Sequence, residues 1–256
     1  MSSAEDLLRE ANTLITKAAE QGVILRVLGG VAIRYHCPTA SQPPLARKIA
    51  DIDLFGLSRQ SIAIRKVFTA LSYEQAGTFN VLHGNRRLMF FQPNTHGRRD
   101  VFLDFFEMCH RFDLRDRLQV EGFSISLSDL LMTKLQVVEI EERDYKDIVC
   151  MLVDHEVGNS DTQEGINKNY IADLCSKDWG VYKSFTQNLE KTAEYLGQID
   201  LKDSQQKTVK ERIAVLEDAI KSASKSSRWK LRSVVGAKMS WYEEPEVPKT
   251  IKFAEE

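Results

Sequence analysis

The sequence predicts an α+β fold in two parts: a mixed sheet with flanking helices over residues 1–125, then a mostly helical domain over residues 126–256. Three observations carry that expectation. Val23 to Leu28 is nearly all apolar, the mark of a strand covered on both faces, and Gly29-Gly30 turns it into a short helix. Ile49 to Phe55 is a second largely apolar run that carries two aspartates, Asp51 and Asp53. Beyond Leu127, apolar residues recur only at helical spacing, with no strand pattern among them.

In chain order, Ser3 caps a helix whose face is Leu7, Leu8, Ala11, Leu14, Ile15 and Ala18, and Gly22 stops it. The strand at 23–28 leads through Gly29-Gly30 into a helix over Val31 to His36. Pro38, Pro43 and Pro44 then break helical structure, so residues 38–46 read as a loop before the Asp51/Asp53 strand. Ser58 caps a helix over Arg59 to Leu71. Residues 78–107 read as strands joined by turns at His83-Gly84-Asn85 and Asn94-Thr95-His96-Gly97, the second turn entering one run from Val101 to Glu107. A last strand, Phe123 to Leu127, meets a helix over Asp129 to Ile140 capped by Ser128. Helices over 142–155, 163–175, 180–197 and 204–224 complete the prediction.

Composition narrows the class. A net charge of -2 and 43% hydrophobic residues describe a soluble globular protein with a sizeable core. No apolar stretch of roughly 18 residues is available to span a membrane, and the acidic start Ser3-Ala4-Glu5-Asp6 is unlike a signal peptide, so a cytoplasmic protein with no membrane partner is expected. Cys37, Cys109, Cys150 and Cys175 lie far apart in apolar surroundings and read as reduced core thiols. The histidines lack zinc-ligand spacing.

Chemistry concentrates on the acids. A strand alternates faces at every residue, so Asp51 and Asp53 leave on one side and Ile52 on the other, and both carboxylates can reach one divalent cation. Two adjacent, partly buried carboxylates repel, and a metal relieves that cost. Asp104, set among Phe102, Leu103, Phe105 and Phe106, is the candidate third ligand, with Asp100 and Glu107 as nearby alternatives. Under an unbroken strand Asp100 shares the face of Asp104 and Glu107 does not. The competing reading makes the acids ordinary turn or surface residues, but Ile49, Ile52, Leu54 and Phe55 crowd the first pair.

Leu28-Gly29-Gly30, Asp51-Ile52-Asp53-Leu54 and Leu103-Asp104-Phe105, in that order, resemble the DNA polymerase beta type nucleotidyltransferase superfamily. Within it the chain looks most like the abortive-infection type enzymes, with Arg47 four residues before the first aspartate and Lys134 followed by Arg143-Asp144-Tyr145-Lys146-Asp147. That resemblance implies an enzyme that moves a nucleoside monophosphate from a nucleoside triphosphate to a hydroxyl, releasing pyrophosphate. Asp51, Asp53 and Asp104 would be the catalytic acids and would hold two Mg²⁺ ions, with Mn²⁺ able to replace them. Gly29 and Gly30 would present backbone N–H groups to the triphosphate at a helix start, Gly30 standing where many relatives have serine. Arg47, Lys134 and Lys146 would contact phosphate or base, although each taken singly also reads as a solvated surface cation. The acceptor could be RNA such as tRNA, a protein or a small molecule, and a toxin neutralised by an antitoxin protein is one version. Two other classes stay open: a catalytically silent nucleotide- or partner-binding member, and a glycosyltransferase using the Asp-x-Asp pair, which the Gly-Gly pair and Asp104 fit poorly.

One further stretch bears on the acceptor. Residues 219–242 hold Lys221, Lys225, Arg228, Lys230, Arg232 and Lys238 interleaved with Trp229, Trp241 and Tyr242, and Arg86, Arg87, Arg98 and Arg99 lie near the hairpin turns. Such a set can follow a phosphate backbone and stack bases. It also reads as a helix end favoured by its dipole with a tail packed through its tryptophans.

Overall fold

The computed structural model describes residues 3–95 and 97–245, so His96 of the second turn and the end of the C-terminal region lie outside the described residues. Ten α-helices, four short 3₁₀ helices and nine strands among them make an α+β protein. Helix α1 (Ala4–Glu20) opens with a capping box: Ser3 Oγ accepts from the Asp6 N–H while Asp6 accepts from the Ser3 N–H. Its Leu7, Ala11, Leu14 and Ala18 face is buried, as the spacing requires. Strand β1 (Leu25–Leu28) runs straight into α2 (Gly29–His36), and β2 (Ile52–Gly56) begins one residue after Asp51.

The following segment departs from the sequence expectation in three places. Ser58 opens a short 3₁₀ turn rather than capping a helix, and α3 (Ser61–Ala70) follows it. After the two-residue strand β3 (Glu74–Gln75), the chain forms helix α4 (Gly77–His83) where a strand was expected. Asn80 explains that element, because its side chain is buried and bonds both the N–H and the carbonyl of Met89 on β4 (Arg87–Phe91). The run from Val101 to Glu107 is not one strand. It splits into β5 (Arg98–Leu103) and β6 (Phe105–Glu107) at Asp104, whose φ of 62° takes it out of the extended region.

The main sheet has the order β1-β2-β5-β4-β3, with β2 and β5 parallel and the other neighbours antiparallel. Strand β6 pairs with β7 (Arg111–Asp113) in a separate ribbon. The expected strand at 123–127 contributes only a bridge between Ser124 and Val27, with Ser126 capping α5 (Leu127–Leu135) two residues earlier than foreseen. Helix α6 (Glu142–Asp154) matches its periodicity. A parallel pair that the sequence did not suggest, β8 (Glu156–Gly158) and β9 (Gly165–Asn167), comes next. Helices α7 (Lys168–Lys177), α8 (Trp179–Tyr195), α9 (Asp203–Ser222) and α10 (Ser227–Val235) finish the described chain.

One hydrophobic core runs from Leu7 through the sheet to Ile220 and crosses residue 125 without a break. All four cysteines are free and buried. No helix among the described residues is long and apolar enough to cross a membrane.

Candidate active site

Strand register decides which acids meet. Asp53 on β2 lies directly opposite Asp100 on β5, so their side chains leave the sheet on the same face. Asp51, just before β2, joins them through Arg98, whose Nη2 is 3.8 Å from its Oδ2. Burial first, then the neighbouring charges of Asp51 and Asp100, pushes the Asp53 carboxyl up to about 7. Such a rise marks a carboxylate that is buried first and set beside other acids second, without enough compensation.

Asp104 is not brought to this cluster. It lies four residues along the chain from Asp100, about 13 Å at strand spacing, beyond the opposite end of β5. There its Oδ1 accepts from the Ser58 N–H at 2.9 Å and its Oδ2 from the Ser58 hydroxyl at 2.5 Å. Its left-handed backbone, tolerated by aspartate, turns the chain from the main sheet into the β6/β7 ribbon. Asp104 is thus a turn-forming residue, and Asp100 takes the position beside Asp53 that the sequence reading gave to it. Glu107 lies in the ribbon, paired with Arg111.

The glycine pair is pressed against the acids. Gly29 has a φ of 68°, and a Cβ there would come 2.7 Å from Asp53 Oδ2. At Gly30 a Cβ would meet Arg47 Nη2 at 2.7 Å. That guanidinium cannot easily move away, because Nε and Nη2 both donate to Asp147 of α6 at 2.7 Å. This crowding is a physical reason for glycine at position 30. Leu28, the residue before α2, offers no side-chain cap, so the first N–H groups of that helix lack a capping side chain beside Asp53.

The three cations named from sequence are not solvated surface residues. Lys134 is largely covered and reaches Asp144 Oδ1 at 2.9 Å and Asp147 Oδ2 at 2.8 Å. Burial pushes Asp147 up, but Lys134 and Arg47 outweigh it and hold the carboxyl below its ordinary value. Arg47, Lys134, Asp144 and Asp147 therefore form a charge-balanced network that ties the chain entering β2 to α5 and α6. Lys146 is mostly covered and pairs with Glu142 one turn away. The arginines of the hairpin divide by face: Arg99 is fully buried against Glu10 of α1 at 2.6 Å, whereas Arg87 and Arg98 turn toward Asp100.

Those last two contacts bear on metal binding. Arg87 Nε donates to Asp100 Oδ1 at 3.0 Å. Arg98 Nε lies 2.7 Å from Asp100 Oδ2, yet neither atom makes a hydrogen bond, so the contact is too bent to satisfy a buried pair. Among the described residues no three His, Cys, Asp or Glu side chains are gathered closely enough to hold a metal ion as they stand. The oxygen donors nevertheless suit a hard divalent cation, and the orphaned Oδ2 of Asp100 is an atom such an ion would satisfy. Asp100 was legible only as an alternative, Asp144 and Asp147 were not read as site residues, and Arg87 and Arg98 were read only as part of an acceptor surface; pairing register, which alternation alone does not give, would have found the first. Compared with known proteins, the chain matches no family model and no curated sequence.

Proposed function

We propose that the protein is a metal-dependent nucleotidyltransferase of the DNA polymerase beta type that transfers a nucleoside monophosphate from a triphosphate to a hydroxyl acceptor. One observation carries this reading: Asp53 and Asp100 face the same way across β2 and β5, with Gly29 and the uncapped start of α2 pressed against them. Asp51, Asp53 and Asp100 would hold Mg²⁺, or Mn²⁺ in its place, which when bound neutralises charge at the entering and leaving oxygens. The N–H groups of Gly29 and Gly30 receive the phosphates. The acceptor oxygen bonds to the α-phosphorus, the bond to the bridging oxygen breaks, pyrophosphate leaves, and the acceptor proton passes to Asp100. Arg47 and Lys134 act from behind as positioning residues, since their charge is spent on Asp144 and Asp147. A cytoplasmic enzyme acting on RNA such as tRNA, a protein or a small molecule, with or without an antitoxin partner, is consistent with this chemistry.

A second reading, a silent member that binds nucleotide or a partner without turnover, is favoured by Arg87 and Arg98 on Asp100, which place cations where a metal would go. Incubation with each α-labelled triphosphate, Mg²⁺ or Mn²⁺, and a panel of RNAs and small hydroxyl acceptors separates the two. Label transfer with pyrophosphate release, lost in Asp53→Ala, supports the enzyme. Nucleotide binding without release in any combination supports the silent form.

A further inference from the structure

A cavity of about 560 Å³, sharing no residue with the acidic cluster, opens between the α7/α8 junction, α10, the 240–243 segment and the turn joining β6 to β7. The chain has three tryptophans, and all of them, Trp179, Trp229 and Trp241, line it. The wall is held in place by particular contacts. Trp241 Nε1 donates to Ser184 Oγ at 3.2 Å, and that hydroxyl is also 2.8 Å from His110 Nε2. The Glu243 N–H donates to the Cys109 carbonyl at 3.0 Å. Gly180 lets this segment pass, because a Cβ there would lie 2.3 Å from the Trp241 carbonyl oxygen.

Two features of the wall are left over by the fold. The Trp229 indole N–H is shut away from solvent without an acceptor. Arg228 and Arg232 line the cavity, and among the described residues no carboxylate pairs with either. Arg232 stacks over Trp179 at 4.8 Å and donates to the carbonyls of Gly236, Met239 and Ser240, so its position is fixed while its charge is not cancelled. The other charges at the rim are Lys177, paired with Asp173, Arg111, paired with Glu107, and two acids. Of those acids, Asp178 accepts from the N–H groups of Gly180 and Val181, and Glu243 is exposed.

We propose that this cavity binds a nucleotide, its base stacked among the indoles and its phosphate at Arg228 and Arg232. Flat faces suit any base, and unmatched guanidiniums suit a phosphate. The volume lies in the range of small-ligand sites. The same chemistry comes from a free mononucleotide or from one unit of a single-stranded RNA, and the site stands whether or not the acidic cluster transfers a nucleotidyl group.

Because every tryptophan is at the cavity, tryptophan fluorescence, excited beyond tyrosine absorption, reports on it alone. The full chain is titrated with AMP, GMP, CMP, UMP, a short single-stranded RNA and inorganic phosphate, with correction for nucleotide absorbance. Saturable quenching by at least one nucleotide or by the RNA, but not by phosphate alone, is expected. Tighter quenching by the RNA than by any mononucleotide identifies the strand as the source, and the reverse identifies the free nucleotide. Arg228 is exposed, so Arg228→Ala is expected to keep the fold and weaken quenching at least about tenfold. Trp229→Phe is expected to weaken it by a smaller factor, and Asp53→Ala to leave it unchanged. No quenching by any of these up to about 1 mM, quenching unaffected by Arg228→Ala, or quenching abolished by Asp53→Ala would overturn the proposal.

Discussion

At the scale of single residues, Asp53 concentrates the tension in the site. Burial and two neighbouring acids raise its carboxyl from 3.8 to about 7, so the folded chain holds that proton to higher pH than the unfolded chain does. Across that window the folded state carries more protons than the unfolded one, and stability falls as pH rises through it. Asp53→Asn removes the charge, and we expect it to raise stability at pH 8 by about 1–3 kcal/mol while leaving stability near pH 4 almost unchanged, as read by thermal unfolding. Adding Mg²⁺ or Mn²⁺ to the unaltered chain should raise its unfolding temperature more at pH 8 than at pH 5, because the ions bind the ionised acids. A metal response equal at both pH values, or present in Asp53→Asn, would contradict the role given to this side chain.

Among elements, the break between β5 and β6 governs which acid reaches the site. The run Val101-Phe102-Leu103-Asp104-Phe105-Phe106 has the composition of one strand, and nothing in its hydrophobic pattern marks Asp104 as the corner. The corner arises from long-range contacts: the Asp104 N–H bonds the Gly56 carbonyl and the side chain bonds Ser58, both brought there by β2. Helix α4 escaped the sequence reading for a similar reason, since Asn80 finds its partners on β4. By contrast, α1 and α6 and the Gly29-Gly30 junction were legible, because their signals, amphipathic spacing or a glycine pair closing an apolar strand, are local in the chain. Asp51 and Asp53 were legible too, whereas the neutral network of Arg47, Lys134, Asp144 and Asp147 spans three elements and left only isolated charges to read. Asp104→Ala deprives Ser58 of both acceptors and puts an unsuited residue at positive φ. We expect a loss of roughly 1–3 kcal/mol in denaturant unfolding; a neutral effect would remove the corner role.

For the whole molecule, the sequence suggested two domains meeting near residue 125, and the structure joins both parts through shared burial. Arg117 donates to Asp129 at 2.6 Å and to Asp161 at 3.0 Å, and lies 3.6 Å over the Tyr170 ring, linking the segment after β7 to α5 and α7. On the other side the Thr39 N–H donates to Asp154 of α6 at 3.0 Å. Because the core is continuous, tryptophan fluorescence, which reports the helical half, and far-ultraviolet circular dichroism, which reports all of it, should show coincident unfolding transitions. Arg117→Ala, which strands the buried Asp129, should lower the common transition by about 3–5 kcal/mol without splitting it. Two separate transitions would show that the halves fold independently.

The most direct test compares Asp100→Asn with Asp104→Asn in nucleotidyl transfer from labelled triphosphate, each variant first shown to be folded. We expect Asp100→Asn to lose transfer by about a thousandfold and Asp104→Asn to stay within roughly tenfold of the unaltered chain. A folded Asp104→Asn that is inert beside an active Asp100→Asn would contradict the assignment of the acids, and an unaltered chain that transfers no nucleotide under any condition would contradict the proposed activity itself.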